Sequence, residues 1–138
     1  LIKSAKIIDA DNSLDGKVFD IYIDKGIISN IDKNIDKPAK TIISRENLHV
    51  SIGWLDSSVC FGEPGLEERE DLENGIKSAG LSGFTDIVLN SETLPILDSK
   101  ADISYIKSKT QNSVVSVHPL GALSKKSDSE ELADLKEM

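Results

Sequence analysis

The sequence predicts an α/β protein in two parts, a β-rich stretch over residues 1–51 and the first strand–helix units of a parallel sheet over residues 52–138. Three observations predict it. The chain has 138 residues, 38% hydrophobic and 29% charged, which is the balance of a globular domain with room for a core. Before residue 51, short runs rich in β-branched and aromatic residues are separated by turn formers. Beyond it, apolar strand-like runs alternate with segments of helical periodicity.

In the first part, "LIKSAKIID" and "KVFDIYID" carry Ile, Val, Phe and Tyr in partial alternation with polar residues. The intervening "DADNSLDG" is dense in turn formers, and "DKG" at Asp24 to Gly26 predicts a tight hairpin into "IISNID". "AKTIIS" and "LHVSIGWLD" follow as further strands. The expected arrangement is an antiparallel sheet, one layer of a sandwich.

In the second part, "WLDSSVCF" reads as a strand. "GLEEREDLENGIKSAG" then reads as a helix, with Leu72, Ile76 and Ala79 at helical spacing and acids in its first turn, where the helix dipole favours them. "FTDIVLN" is a short, almost continuously apolar strand. Asp98 is the expected N-cap of a second helix through "SKADISYIKSK", with Ala101, Tyr105 and Ile106 on one face. "SVVSVHPLG" is a third strand. Ser127 and Glu130 have capping-box spacing at the start of a third helix that is still under way at Met138. Together with a first residue that is not methionine, this reads as part of a longer protein. Strand and helix in alternation imply parallel βαβ units, either the start of a (β/α)8 barrel or half of an open doubly wound sheet. No glycine-rich phosphate loop follows the first strand, which weighs against a nucleotide-binding fold.

Sixteen basic against 24 acidic side chains give a net charge of −8 with the signs interspersed, so nucleic acid is not an expected partner. The lone cysteine, Cys60, cannot form an internal disulfide, and no apolar run approaches the ~20 residues that cross a bilayer. A cytoplasmic protein without membrane contact is expected.

The stretch Gly53 to Gly65, "GWLDSSVCFGEPG", organises the functional reading. With "VSIGWLD", "GFTDIVL" and "TLPILDSK", it resembles the cyclic amidohydrolases, nearest the multifunctional-complex type of dihydroorotase, with allantoinase as a relative. The likeness runs from Lys3 to Met138. It implies that residues 1–51 belong to the β-sandwich domain of that family and residues 52–138 are the first three βα units of its barrel, incomplete in this chain. The family pattern G-[WF]-[IVL]-D-x-H-x-H-x-R-E-P-G fits without a gap, and Asp56, Glu63, Pro64 and Gly65 are retained. The chemistry is not. The two histidines, whose i, i+2 spacing puts both rings on one face of a strand toward a metal, fall on Ser58 and Cys60. The arginine that holds the substrate carboxylate falls on Gly62. In the second motif, M-P-N-T-x-P, Thr93 and Pro95 remain while the substrate-binding asparagine becomes Glu92.

The resemblance thus implies the frame of a zinc hydrolase without its metal pair or substrate clamp. No cofactor is expected here, although the family uses zinc to activate the water that attacks a cyclic amide. The leading expectation is an inactive structural or regulatory chain that associates with itself or with a missing C-terminal part. By analogy with inactive relatives, an aspartate carbamoyltransferase-like enzyme is a candidate partner. The alternative is a cyclic amide hydrolase with a shifted metal site using Cys60, Glu92 or His118 and residues beyond this chain. Taken singly, Cys60 reads as a small buried hydrophobe. His49 and His118 read as surface or hydrogen-bonded residues, and Glu67, Glu68, Glu70 and Asp71 as a solvated helix N-terminus.

Overall fold

A short hairpin sets the register of the first sheet. Asp24 pairs with Ile27 across Lys25 and Gly26, whose φ values of 49° and 80° are both positive, as a type I′ turn requires. In the computed structural model, which describes residues 1–138, the chain forms two compact units, residues 1–52 and 53–138.

The first unit is one five-stranded sheet. β1 (Ile2–Ile8), β2 (Val18–Asp24) and β3 (Ile27–Asp32) form an antiparallel meander. The short β4 (Ile43–Ser44) and β5 (His49–Ser51) both pair with β1 in parallel. The sheet is therefore mixed, not wholly antiparallel as expected. "AKTIIS" yields only two strand residues, and "LHVSIGWLD" breaks after Ser51. On the free edge, Tyr22 pairs with Asn30 and Ile23 with Ile28, which leaves Ser29 as an extra residue and makes a β-bulge.

Asp20 clasps this unit. It is buried in β2, and its carboxylate accepts hydrogen bonds from Lys3 Nζ at 2.7 Å, Ser4 N–H at 2.8 Å and Ile35 N–H at 3.0 Å. Lys3 also donates to the Ile35 carbonyl, so one ion pair ties β1, β2 and the loop after β3. Burial pushes the Asp20 carboxyl up, but the Ile35 amide, Lys3 and the Ser4 amide together hold it down at about 2.

The second unit is a three-stranded parallel sheet in the order β6 (Trp54–Val59), β7 (Phe84–Leu89), β8 (Ser116–Pro119). Helix α1 (Leu72–Leu81) joins β6 to β7, and α2 (Lys100–Thr110) joins β7 to β8. The core is Leu72 and Ile76 of α1, Ile87 and Leu89 of β7, Ile103 and Ile106 of α2, with Leu97 and Val115. Ala79 is half-buried against it.

Several local expectations are corrected. Helix α1 starts at Leu72 behind the N-cap Asp71, so Glu67, Glu68 and Glu70 lie in turns ahead of it and only Glu73 is acidic in the first turn. The N-cap of α2 is Ser99, not Asp98. Ser99 forms a capping box with Asp102, while the Asp98 carboxylate accepts from Lys126 N–H instead. The buried face of α2 is Ile103, Ile106 and Thr110, and Ala101 and Tyr105 are exposed. The expected third helix does not form. Residues Lys125–Ser127 make a single 3-10 turn with positive φ at Lys126, Ser127 and Ser129. A small hairpin closes there through Lys125 N–H to Glu131 O and Ala133 N–H to Leu123 O.

Replacing Asp20 with Asn should destabilise the protein by about 2 kcal/mol, because Lys3 and two amides lose a charged acceptor. The native carboxyl titrates below its ordinary 3.8. Its contribution is therefore complete above about pH 4 and lost as the pH falls toward about 2. Acid unfolding followed by circular dichroism should show a weaker pH dependence in this window for Asp20→Asn than for the parent.

Candidate functional site

In a parallel sheet the C-terminal strand ends lie together, and the substituted motif positions fall there. β6 is distorted: Asp56 pairs with Ile87 but Val59 pairs with Leu89, so two residues, Ser57 and Ser58, stand opposite Val88 alone. The Asp56 carboxylate accepts the Ser58 N–H at 3.0 Å within this bulge. Ser58 Oγ in turn accepts a hydrogen bond from Asn90 Nδ2 at 3.1 Å, across from the end of β7. Cys60 is exposed, not a buried hydrophobe. Its Sγ stands 3.9 Å from both the backbone oxygen and a carboxylate oxygen of Glu92.

The zinc site that the resemblance implies needs three or four N, S or O donors around one point. Ser58 is engaged with Asn90, and Cys60 has only Glu92 beside it. No three His, Cys, Asp or Glu side chains converge in the chain. These residues do not fit the ion. Nor does His118 join Cys60 and Glu92: its Nε2 lies 2.9 Å from Asp86 Oδ1 on the adjacent strand. That contact, ahead of a hydrogen bond from Thr85, holds the Asp86 carboxyl below its ordinary value. His49 is exposed in the other unit, its Nδ1 2.7 Å from the Asn47 carbonyl.

The retained part of the motif does structural work. Glu63 is buried, and its carboxylate accepts from the Leu72 N–H at the start of α1 at 2.9 Å, from Tyr105 Oη at 3.3 Å, and from Lys109. Burial pushes the Glu63 carboxyl up, but the Lys109 hydrogen bond, the Leu72 amide and the Lys109 charge prevail and hold it below its ordinary value. The same contact raises Lys109 above the usual lysine range. Of the acidic cluster, Asp71 caps α1 through Asn74 N–H, Glu70 accepts from the Asn74 amide, and Glu67 accepts from Gly65 N–H.

Asn90, Lys109 and Asp86 had no assigned role in the sequence, and Tyr105 had only a place on a helix face. Three of them were signalled there. Tyr105 and Lys109 stand at i, i+4 spacing on one helix, and Asp86 is the charge that interrupts the apolar run "FTDIVL".

This arrangement, one mixed sheet and a parallel βαβαβ unit with a motif loop at the strand ends, matches the N-terminal part of an amidohydrolase. The chain superposes on L-hydantoinase (dihydropyrimidinase) from Arthrobacter aurescens with a TM-score of 0.76, covering 89% of this chain and 27% of that one at 21% identity, a likeness of fold. It is 37% identical to the dihydroorotase of Acetivibrio thermocellus over 139 residues, 100% of this chain and 32% of that protein. It is 36% identical to the dihydroorotase of Aquifex aeolicus over 135 residues, 97% of this chain and 32% of that protein. No family model matches the chain. The chain is similar along its whole length to these dihydroorotases, as a homologue of their N-terminal part, and spans about a third of the length of the curated relatives it matches. No helix in it is long and apolar enough to cross a membrane.

Replacing Glu63 with Ala should lower stability by roughly 2 kcal/mol, since it leaves the Leu72 amide without its acceptor and frees Lys109. A double-mutant cycle with Lys109→Met, read by chemical denaturation, should return a favourable coupling between the two. Additive effects would show that the pair contributes nothing beyond its solvation.

Proposed function

We propose that the protein is a dihydroorotase-like chain without hydrolase activity that serves as a structural or regulatory subunit. The observation that carries this reading is selective substitution at the strand ends. Ser58 and Cys60 replace the metal-binding pair, Gly62 replaces the substrate arginine and Glu92 the substrate asparagine, while Asp56, Glu63, Pro64, Gly65, Thr93 and Pro95 keep the frame. In the structure each substituted side chain is engaged locally: Ser58 with Asn90, Cys60 with Glu92. A carboxylate-bearing substrate would meet the charge of Glu92 and no matching cation at position 62.

Association fits the surface. Large apolar side chains stand exposed in both units, among them Ile27 at 69% and Val114 at 87%. Such side chains mark contact with further protein when they form contiguous patches. The partner under this reading is a second copy, the remainder of a longer chain, or an enzyme of the aspartate carbamoyltransferase kind.

One observation favours a second reading, a metal-dependent cyclic amide hydrolase with a shifted site: the Cys60 thiol and the Glu92 carboxylate meet. Metal analysis of the full-length gene product, purified without chelator or added metal, separates the two. The first reading expects less than ~0.1 metal per chain, below the near-stoichiometric loading of a resident zinc site, with no turnover of dihydroorotate. One or two metals per chain, lost on Cys60→Ala, would favour the second. Turnover of dihydroorotate would overturn the first outright.

A further inference from the structure

The loop that leaves β6 is closed by main chain at the place where an open site needs a side chain. Gly62 is buried, its N–H donates to the Glu70 carbonyl at 2.8 Å, and its carbonyl accepts the Leu66 N–H at 2.9 Å. A methyl group on Gly62 would stand 1.8 Å from the Leu66 carbonyl oxygen and 2.6 Å from its carbon. Those are backbone atoms of the same turn and cannot swing aside as the end of a long side chain does.

Gly65 repeats the pattern against the next loop. It has φ +91°, and a methyl there would stand 1.7 Å from the Leu94 carbonyl oxygen, while the Pro64 carbonyl accepts the Leu94 N–H at 2.9 Å. Just before the turn, the Phe61 ring lies where a methyl on Gly75 of α1 would fall, 2.5 Å from that position. Phe61 and Glu63 are thus drawn toward the helices while Gly62 closes on its own loop, and the loop after β6 meets the loop after β7 main chain to main chain.

We infer that the loop from Phe61 to Asp71 is a sealed wall that admits no side chain at position 62, so that the strand ends have lost an anion-binding position in backbone as well as in sequence. Only the significance of position 62 rests on the reading above. The closure itself rests on the Gly62–Leu66 geometry. The side chains at the substituted positions of the β6 and β7 ends, Ser58, Cys60 and Glu92, with Asn90 beside them, include no cation, so this part of the strand ends favours a neutral or positively charged ligand. An arginine at 62 breaks the turn before it can offer its charge.

The test is Gly62→Ala and Gly62→Arg in the intact protein, with Gly80→Ala as control. A methyl on Gly80 in α1 meets only Val114 and Val115 at 3.4 Å, an ordinary contact. Gly62→Ala is expected to lower Tm by roughly 5 °C or more, with Gly62→Arg at least as damaging. Gly80→Ala should match or exceed the parent. A Gly62→Ala protein as stable as the parent would overturn the inference. If the position-62 variants do not accumulate, hydrogen exchange on the parent decides. The Gly62 and Leu66 amides should exchange ~100-fold or more slowly than free-loop amides, and exchange at free-loop rates would refute the closed turn. Metal content and turnover do not enter this result, so a protein that hydrolyses dihydroorotate would end the reading above and leave the sealed loop standing.

Discussion

The larger unit is organised by the need to match one buried carboxylate. Glu63 lies on a loop, and an unmatched charge in that position would be expelled or neutralised. Its partners come from two different helices: the first free amide of α1, and Tyr105 and Lys109 of α2. The loop therefore reaches its observed path only when both helices are docked on the sheet. That path in turn sets Pro64 and Gly65 against Leu94, and the loop after β7 inherits its position. The retained acid of the motif thus has a duty in assembly of the fold.

Much of the fold was legible because it follows from local rules. The Asp24–Gly26 turn, the strand at Phe84–Leu89 and the two helices were marked by turn chemistry and periodicity. The misreadings have physical causes. Asp98 and Ser99 are both good caps, and the choice fell to Ser99 because Asp102 can return the hydrogen bond, whereas Asp98 is claimed by the distant Lys126 amide. Tyr105 has an apolar ring, yet its hydroxyl is held by the Glu63 carboxylate and the residue stays exposed. The acid-rich "SDSEELADLKEM" has helical composition, but two hairpin hydrogen bonds that make the Ser124–Leu132 bridge outcompete it. The parallel pairing of β4 and β5 with β1 joins residues some 40 positions apart, which no local pattern encodes.

The candidate site was legible as a frame with substituted positions, since the ungapped match from Gly53 to Gly65 needs only the sequence. What the substituted residues do instead was not. Ser58 and Asn90 are 32 positions apart and meet only because β6 and β7 are neighbours with a bulge between them. Cys60 has the chemistry of a buried residue, but it sits one position past the strand, where no helix covers it. His118 looked unpartnered because its partner is the acid inside an otherwise apolar strand, itself exposed on the same face. Gly62 read as a lost arginine. Its second meaning, a turn too tight for any side chain, is visible only in three dimensions.

The extra residue at Ser29 has a consequence for how the protein behaves when concentrated. β3 is the outer strand of the first sheet and carries two consecutive exposed isoleucines, Ile27 and Ile28, the composition of a sticky ribbon. A strand arriving from another molecule needs donors and acceptors at a regular two-residue repeat, and the repeat slips at Ser29. The rim is thus a poor template for end-on growth into fibres.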